Sequence, residues 1–274
     1  MGEAQSREPE VGAGTRADVV MLTKNSVRPS LPETLASVYA NVPVNRLIVV
    51  DGGSTDGTIE FVSRQKKVLL VTDPTGNRAT SRQKGIERVE TEVFAFIDSD
   101  MILQKNWFSE ALALLGPGVG AISTYPRYFG TAERMQKALE RMYGRPTRRR
   151  FDTAAALVRT AAVKGIRIPC EDEQVPSEDE FIGRAVQKGG YQVLCVGTPV
   201  AFHRESPHPP DLWAKGRLLR QKRWRTTRYM ARQSLLSIPE GMFIWVYTGS
   251  FSAGWQRVRN NAVALLGYLA ASRP

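Results

Sequence analysis

Val93-Phe94-Ala95-Phe96-Ile97-Asp98-Ser99-Asp100 is the stretch that decides the fold. Five consecutive apolar residues are too few for a stable helix and read as a strand buried on both faces. Two carboxylates one residue apart then end the run. They deliver hard oxygen ligands to the rim of a sheet, where open α/β sheets bind their ligands. Such a pair suits Mg²⁺ or Mn²⁺ carrying phosphate oxygens better than any core role. Upstream, Arg46-Leu47-Ile48-Val49-Val50 repeats the arrangement and is closed by Asp51-Gly52-Gly53-Ser54-Thr55-Asp56-Gly57-Thr58. In a parallel sheet both strands point the same way, so Asp51 and Asp98 are expected on one edge, in a polar pocket fit for a nucleotide and its metal. A turn former explains Asp51 alone equally well; it explains the pair less well.

Outward from these strands, helical and extended segments alternate. Asp18 to Leu22 and Val68 to Thr72 read as strands. Helices are expected over Leu31–Ala40 (opened by Ser30 and Pro32), Thr58–Lys66, Ala79–Val89 and Asn106–Leu115, with a further strand at Val119–Thr124. This alternation predicts βαβ units, and hence an α/β fold with a Rossmann-like, mostly parallel sheet flanked by helices. Past Tyr125 come a helix over Glu133–Tyr143, a basic loop at Arg145–Arg150, a strand at Ala154–Val158, a helix over Asp179–Lys188 and a strand at Tyr191–Val196. From Asp211 to Leu236 the pattern predicts one long basic helix interleaved with Trp213, Trp224 and Tyr229. Two apolar patches follow, Met242–Tyr247 and Ala262–Ala271, each too short to span a bilayer.

The 274 residues hold 38 basic and 27 acidic side chains, a net charge of +11 that points to anionic partners. Two cysteines, Cys170 and Cys195, without Cys-x-x-Cys spacing, exclude a disulfide framework or a zinc site and fit a reducing compartment. Residues 1–17 read as a disordered tail without a secretory signal.

Taken in order, the motifs are Thr23-Lys24-Asn25, the Asp51 to Thr58 loop, Asn77-Arg78-Ala79-Thr80-Ser81-Arg82-Gln83-Lys84-Gly85-Ile86, Asp98-Ser99-Asp100, and Ser177-Glu178-Asp179-Glu180-Phe181 with Arg184. Together they resemble the family 2 glycosyltransferases of GT-A fold, inverting enzymes that use nucleotide-diphosphate sugars. The likeness spans residues 18–205 and implies a nucleotide-sugar half (18–125) and an acceptor half (126–205); beyond it, residues 206–274 read from their basic and apolar pattern as a helical extension suited to a membrane interface. The likeness implies that Asp51 contacts the nucleobase in a pocket shared with Thr23 and Asn25. Arg78 and Arg82 would lie near the base and diphosphate. Asp98 would face the ribose and the metal, Asp100 would ligate the divalent ion (Mn²⁺ or Mg²⁺), and His203 would sit near both metal and diphosphate. Asp179 would be the base that deprotonates the acceptor.

Two of these assignments have rivals. His203 also fits an ordinary strand-end histidine, and Glu171-Asp172-Glu173 competes for the role of base. Glu178 is expected to point away from Asp179, as neighbours at a helix start usually do. Processive synthases carry Gln-x-x-Arg-Trp, whereas Arg220-Gln221-Lys222-Arg223-Trp224 has its Gln displaced by one residue, which argues against that subclass. The basic aromatic stretch from 211 to 236 fits a solvated charged helix; with Arg127, Arg134 and Arg148-Arg149-Arg150 it also suits a lipid-linked or phosphorylated acceptor, or a glycan, at an anionic membrane surface. The expected location is cytoplasmic, peripheral at the inner face of the cell membrane, with GDP-mannose or a UDP-hexose as the favoured donor. Two other readings stand beside it: a non-catalytic nucleotide-sugar-binding module, and a basic nucleic-acid-binding protein. The second lacks any helix-turn-helix, zinc or RRM signature, so no nucleic acid is expected as partner.

Overall fold

The computed structural model describes residues 14–143, 151–169, 178–204, 212–221 and 226–271. Most of the expected tail, the basic loop Arg145–Arg150, the rival acids Glu171–Glu173 and the stretch Lys222–Arg225 lie outside those residues. In chain order the elements are β1 (Ala17–Thr23), α1 (Leu31–Asn41), β2 (Val44–Asp51), α2 (Thr58–Ser63), β3 (Val68–Thr72), α3 (Arg78–Ile86), β4 (Val93–Ile97), β5 (Met101–Leu103), α4 (Trp107–Leu114), β6 (Val119–Tyr128), α5 (Gly130–Tyr143), β7 (Ala155–Arg159), α6 (Glu178–Lys188), β8 (Gln192–His203), α7 (Leu212–Gln221), α8 (Thr227–Thr248) and α9 (Phe251–Ala270).

One eight-stranded sheet runs in the order β3-β2-β1-β4-β7-β6-β8-β5. The expected parallel βαβ half is β3-β2-β1-β4. Beyond β4 the ladder turns antiparallel, through β4–β7, β6–β7 and β5–β8. Side chains alternate between faces, and both faces are covered. Val19, Met21, Val49, Ala95 and Ile97 pack on one side with Leu35 and Val38 of α1 and Trp107 of α4. Val20, Ile48, Phe94 and Phe96 pack on the other with Ile182 and Val186 of α6. This two-sided burial is why β4 reads as an unbroken apolar run. Helix α3 seats closely on the sheet: a Cβ on Gly85 would lie 2.4 Å from Val20 Cγ1.

By its contacts the chain forms two compact units, Met1–Arg127 with Arg148–Arg204, and Tyr128–Thr147 with Glu205–Pro274. The second contains α5, α7, α8 and α9. The single long helix expected from Asp211 to Leu236 is two helices. At Thr226 the backbone is extended and the hydroxyl accepts the Tyr229 N–H, capping a new helix. Among the described residues, no helix is long and apolar enough to cross a membrane.

Candidate active site

Parallel pairing fixes the first carboxylate. Thr23 is opposite Asp51 in the β1–β2 ladder, and β1 also pairs with β4. Asp51 and Asp98 therefore emerge at the same sheet edge, with β1 between them. Asp51 is fully buried. Its Oδ1 accepts the Gly53 and Ser54 N–H groups at 2.9 and 2.7 Å, and its Oδ2 accepts the Thr23 and Ser54 hydroxyls at 2.8 and 2.5 Å. Four donors use all the lone pairs of a carboxylate. As placed, Asp51 anchors the Gly-rich loop with all four hydrogen bonds. Asn25, in a left-handed conformation (φ 51°), ties the first loop to the second: its Oδ1 accepts the Thr55 N–H at 2.9 Å and its N–H donates to Ser54 Oγ at 2.8 Å.

Helix α3 delivers the arginines. Asn77 caps it reciprocally with Thr80, the Asn77 side chain accepting from the Ala79 and Thr80 N–H groups. The buried Asp73 grips the same turn, accepting from Thr80 Oγ1 at 2.7 Å, Ser81 Oγ at 2.8 Å and Lys84 Nζ at 2.7 Å. Arg78 is exposed at the helix start, where its charge acts on Asp100. Arg82 is buried, 6% of its side chain accessible, and touches three carboxylates: Asp98 at 3.3 Å, Glu178 at 3.6 Å and Asp179 at 3.8 Å. Its guanidinium lies 5.5 Å from the Phe96 ring centre. Burial alone would lower the Arg82 pKa, but the charges of Asp98, Asp179 and Glu178 outweigh it and raise the pKa.

The antiparallel strands supply the rest of the edge. Met101 pairs with His203 across β5–β8, so the residue before it, Asp100, has the imidazole alongside, with His203 Nε2 at 3.5 Å from Asp100 Oδ2. The Asp98 N–H bonds to the Ala154 carbonyl at 2.9 Å, which sets the residues ahead of β7 beside the Asp-x-Asp pair. From there Thr153, fully buried, donates its hydroxyl to Asp179 Oδ1 at 2.5 Å. Asp179 stands in the first turn of α6. Burial pushes its pKa up to about 6; Arg82 opposes this, Glu178 adds to it, the Thr153 hydroxyl opposes it and Asp152 adds to it. Burial also raises Asp100, against the pull of His203.

Eight expected residues thus gather at one edge: Thr23, Asn25, Asp51, Arg82, Asp98, Asp100, Asp179 and His203, with Arg78 close by. Glu178 corrects its expectation. It turns inward with Asp179 because the same buried guanidinium attracts both. Sequence reasoning passed over Asp73, Thr153 and Asp152. The polar run Asn77 to Lys84 was the visible hint for Asp73; nothing local marks Thr153.

Among the described residues, no three His, Cys, Asp or Glu side chains form a cluster able to hold a metal by themselves. Two hard carboxylates with a neighbouring imidazole nevertheless fit a cation that keeps waters and shares substrate phosphate oxygens. That is the usual habit of Mg²⁺, and of Mn²⁺ where nitrogen also contributes. A separate cavity of about 660 Å³, lined by Gln83, Glu87, Thr160, Lys164 and Tyr191 among others, opens at the other end of α3, away from these carboxylates.

The sequence profile described as glycosyl transferase family 2 matches residues 18–169. No curated protein matches the chain. Among solved structures, the chain is similar to the mannosyltransferase PcManGT from Pyrobaculum calidifontis in complex with GDP-Man and Mn²⁺, at 19% identity and a TM-score of 0.56, over 97% of this chain and 79% of that one. It is also similar to S. aureus TarS 1-349 in complex with UDP, at 18% identity and a TM-score of 0.55, over 92% and 89% of the two chains. A third likeness is to glucosyl-3-phosphoglycerate synthase from Mycobacterium tuberculosis with Mn²⁺, UDP and glucosyl-3-phosphoglycerate, at 18% identity and a TM-score of 0.51, over 77% and 78%. At these identities the likeness is one of fold, the GT-A arrangement.

Proposed function

Because the chain belongs to glycosyltransferase family 2, we propose that it is an inverting, divalent-metal-dependent hexosyltransferase moving a sugar from a nucleotide-diphosphate donor to a lipid-linked or phosphorylated acceptor. The observation that carries this reading is the convergence of Asp98 and Asp179 on the buried Arg82, with Asp100 and His203 paired at the same sheet edge. Residues 18–125 are read as the nucleotide-sugar half and 126–205 as the acceptor half. The loops that Asp51 and Asn25 zip together form the wall of the base pocket, with Thr23 beneath them. Asp51 serves there as the anchor that holds the wall in shape. Arg78, exposed at the start of α3, is aimed at the diphosphate.

Asp98 and Asp100, with His203 beside them, would hold Mn²⁺ or Mg²⁺, which when bound offsets the negative charge growing on the departing diphosphate. Asp179 takes the proton of the acceptor hydroxyl. A carboxylate whose pKa is about 6 is ionised at neutral pH yet more basic than an ordinary aspartate, which is the tuning a general base requires. Thr153 fixes one of its oxygens, leaving the other to meet the acceptor. Arg82 holds Asp179 and Asp98 at a set separation, so base and donor site share one rigid support. The donors favoured are GDP-mannose and UDP-hexoses, and the reaction is placed at the inner face of the cell membrane.

The test is release of nucleoside diphosphate from GDP-mannose, UDP-glucose and UDP-N-acetylglucosamine, with and without Mn²⁺, for the native chain and Asp98→Asn. Metal-stimulated release that the substitution abolishes is expected. Tight nucleotide binding without turnover of any donor would instead assign the chain as a binding module.

A further inference from the structure

The helical unit leaves a row of large apolar side chains exposed. On α8 the outward stripe Leu235, Ile238, Met242 and Val246 follows the spacing i, i+3, i+7, i+11, and these residues are 67, 49, 62 and 80% accessible. The opposite face of the same helix carries Ser237, Glu240, Gly241 and Ile244, all buried. The contact with α9 is made by small residues. A Cβ on Gly241 would lie 2.7 Å from the Gly254 carbonyl, and one on Gly254 would lie 2.3 Å from the Gly241 carbonyl. Helices α7 and α9 meet the same way, Gly216 against Ala264 and Gly267 against the Trp213 backbone. Polar groups are satisfied inward. Buried Glu240 accepts from Arg257 Nε at 2.7 Å and from the Tyr143 hydroxyl at 2.9 Å, and Ser234 Oγ donates to the Asn261 carbonyl. Close glycine contacts and satisfied polar groups around a small apolar cluster of Ala138, Ile244 and Ala253, with large apolar residues left outside, match helix packing in lipid.

The tip of the α8–α9 hairpin extends the argument. Residues 241–256 contain no charged side chain, and the sequence there holds Trp245, Tyr247, Phe251 and Trp255. All four are exposed, and Trp245 meets Phe251 edge-to-face at 5.4 Å. Eight helical residues from Gly241 to Thr248 measure about 12 Å. That is enough to enter the headgroup–acyl boundary, which interfacial helices penetrate by about 5–10 Å, and well short of the roughly 30 Å hydrocarbon core. The Glu240–Arg257 pair closes the uncharged tip on its inner side. Set back from the tip, Arg228, Arg232 and Arg259 are exposed. From 226 to 271 the only acid in the sequence is Glu240, which is buried. A second copy of this surface would set cation against cation, whereas an anionic leaflet complements it.

We propose that the α8–α9 hairpin is a monotopic membrane anchor. Its aromatic tip and the outer stripe of α8 lie in an anionic leaflet, the glycine-packed interior stays closed, and the exposed arginines sit at the headgroups. The anchor deepens the membrane location of the proposed function and does not depend on its transfer chemistry, and the two are tested by separate readouts on the same preparation. The full chain is floated with phosphatidylcholine vesicles and with vesicles containing phosphatidylglycerol, at low and high salt, alongside Met242→Glu/Val246→Glu. Native protein is expected to float with the anionic vesicles. The double variant, changed only at accessible positions, is expected to partition at least about tenfold more weakly. A second measurement needs no variant: bromine-labelled acyl chains are expected to quench tryptophan emission of the native chain. Native protein left unfloated and unquenched at low salt would overturn the proposal. So would a dimer in sedimentation that the double variant dissolves while vesicle binding stays unchanged. Loss of nucleotide release without loss of flotation would count against the transferase reading alone.

Discussion

Replacing Asp179 with Asn is expected to stabilise the fold while removing its turnover. Burial, with the neighbouring acids, lifts this carboxyl from 3.8 to about 6 against the pull of Arg82. Above pH 3.8 the unfolded chain gives up the proton, whereas the folded chain keeps it until about pH 6. Over that window the native state binds more protons, so stability falls as pH rises, and the full penalty stands above about pH 6. A rise of this size corresponds to about 3 kcal/mol at 1.36 kcal/mol per pH unit. The side chain is 27% accessible, and screening reduces the expected gain to about 1–3 kcal/mol. Asn keeps an oxygen to accept the Thr153 hydroxyl and never ionises. The variant is therefore expected to melt roughly 2–8 °C above the native chain at pH 8, with the gap closing as pH falls to 4. Nucleotide release to acceptor should fall by about 100-fold or more, the usual worth of a general base. In the native enzyme, kcat/KM should rise with pH through a midpoint near 6, the opposite trend to stability. Melting curves across pH, paired with turnover on the same samples, read both. An Asn variant that melts at or below native at pH 8, with no narrowing on acidification, would refute the reasoning.

Gly85→Ala should cost about 1–3 kcal/mol in denaturant unfolding, because the added carbon meets Val20 at 2.4 Å and lifts α3; donor affinity should weaken with it, since the same helix carries Arg78 and Arg82. Arg82→Met should destabilise by about 3–5 kcal/mol by stranding three acids, and Arg82→Lys should recover only part of that, as one ammonium cannot span Asp98, Glu178 and Asp179. Asp100→Asn should raise the Mn²⁺ concentration for half-maximal activity about tenfold or more, with nucleotide release titrated against metal as the measure.

What the sequence disclosed and what it hid follow from how far each signal reaches along the chain. The acid-ended strands were legible because burial on both faces leaves an apolar run, and an abrupt polar end needs no tertiary knowledge. The parallel half followed from helix–strand alternation. The antiparallel half did not, because β7 and β8 join the sheet through long-range pairing that no local pattern encodes. Register then decides chemistry: His203 stands beside Asp100 only because Met101 pairs with it, and Asp98 meets Thr153's loop only because β7 enters antiparallel to β4. Arg82 shows the limit most clearly. Nothing nearby in sequence reveals that its guanidinium is buried against acids 16 and 97 positions away. The same fact reverses the expectation for Glu178, since a shared buried cation turns two adjacent acids inward where helix geometry alone would part them. Asp51 shows the limit from the other side. Its motif reads as ligand-binding, and the four internal donors on its oxygens, supplied by the loop and by Thr23 across the ladder, are visible only in the fold. A motif thus locates a functional edge, and the partners of each charge, which only the fold supplies, decide the work each residue does there.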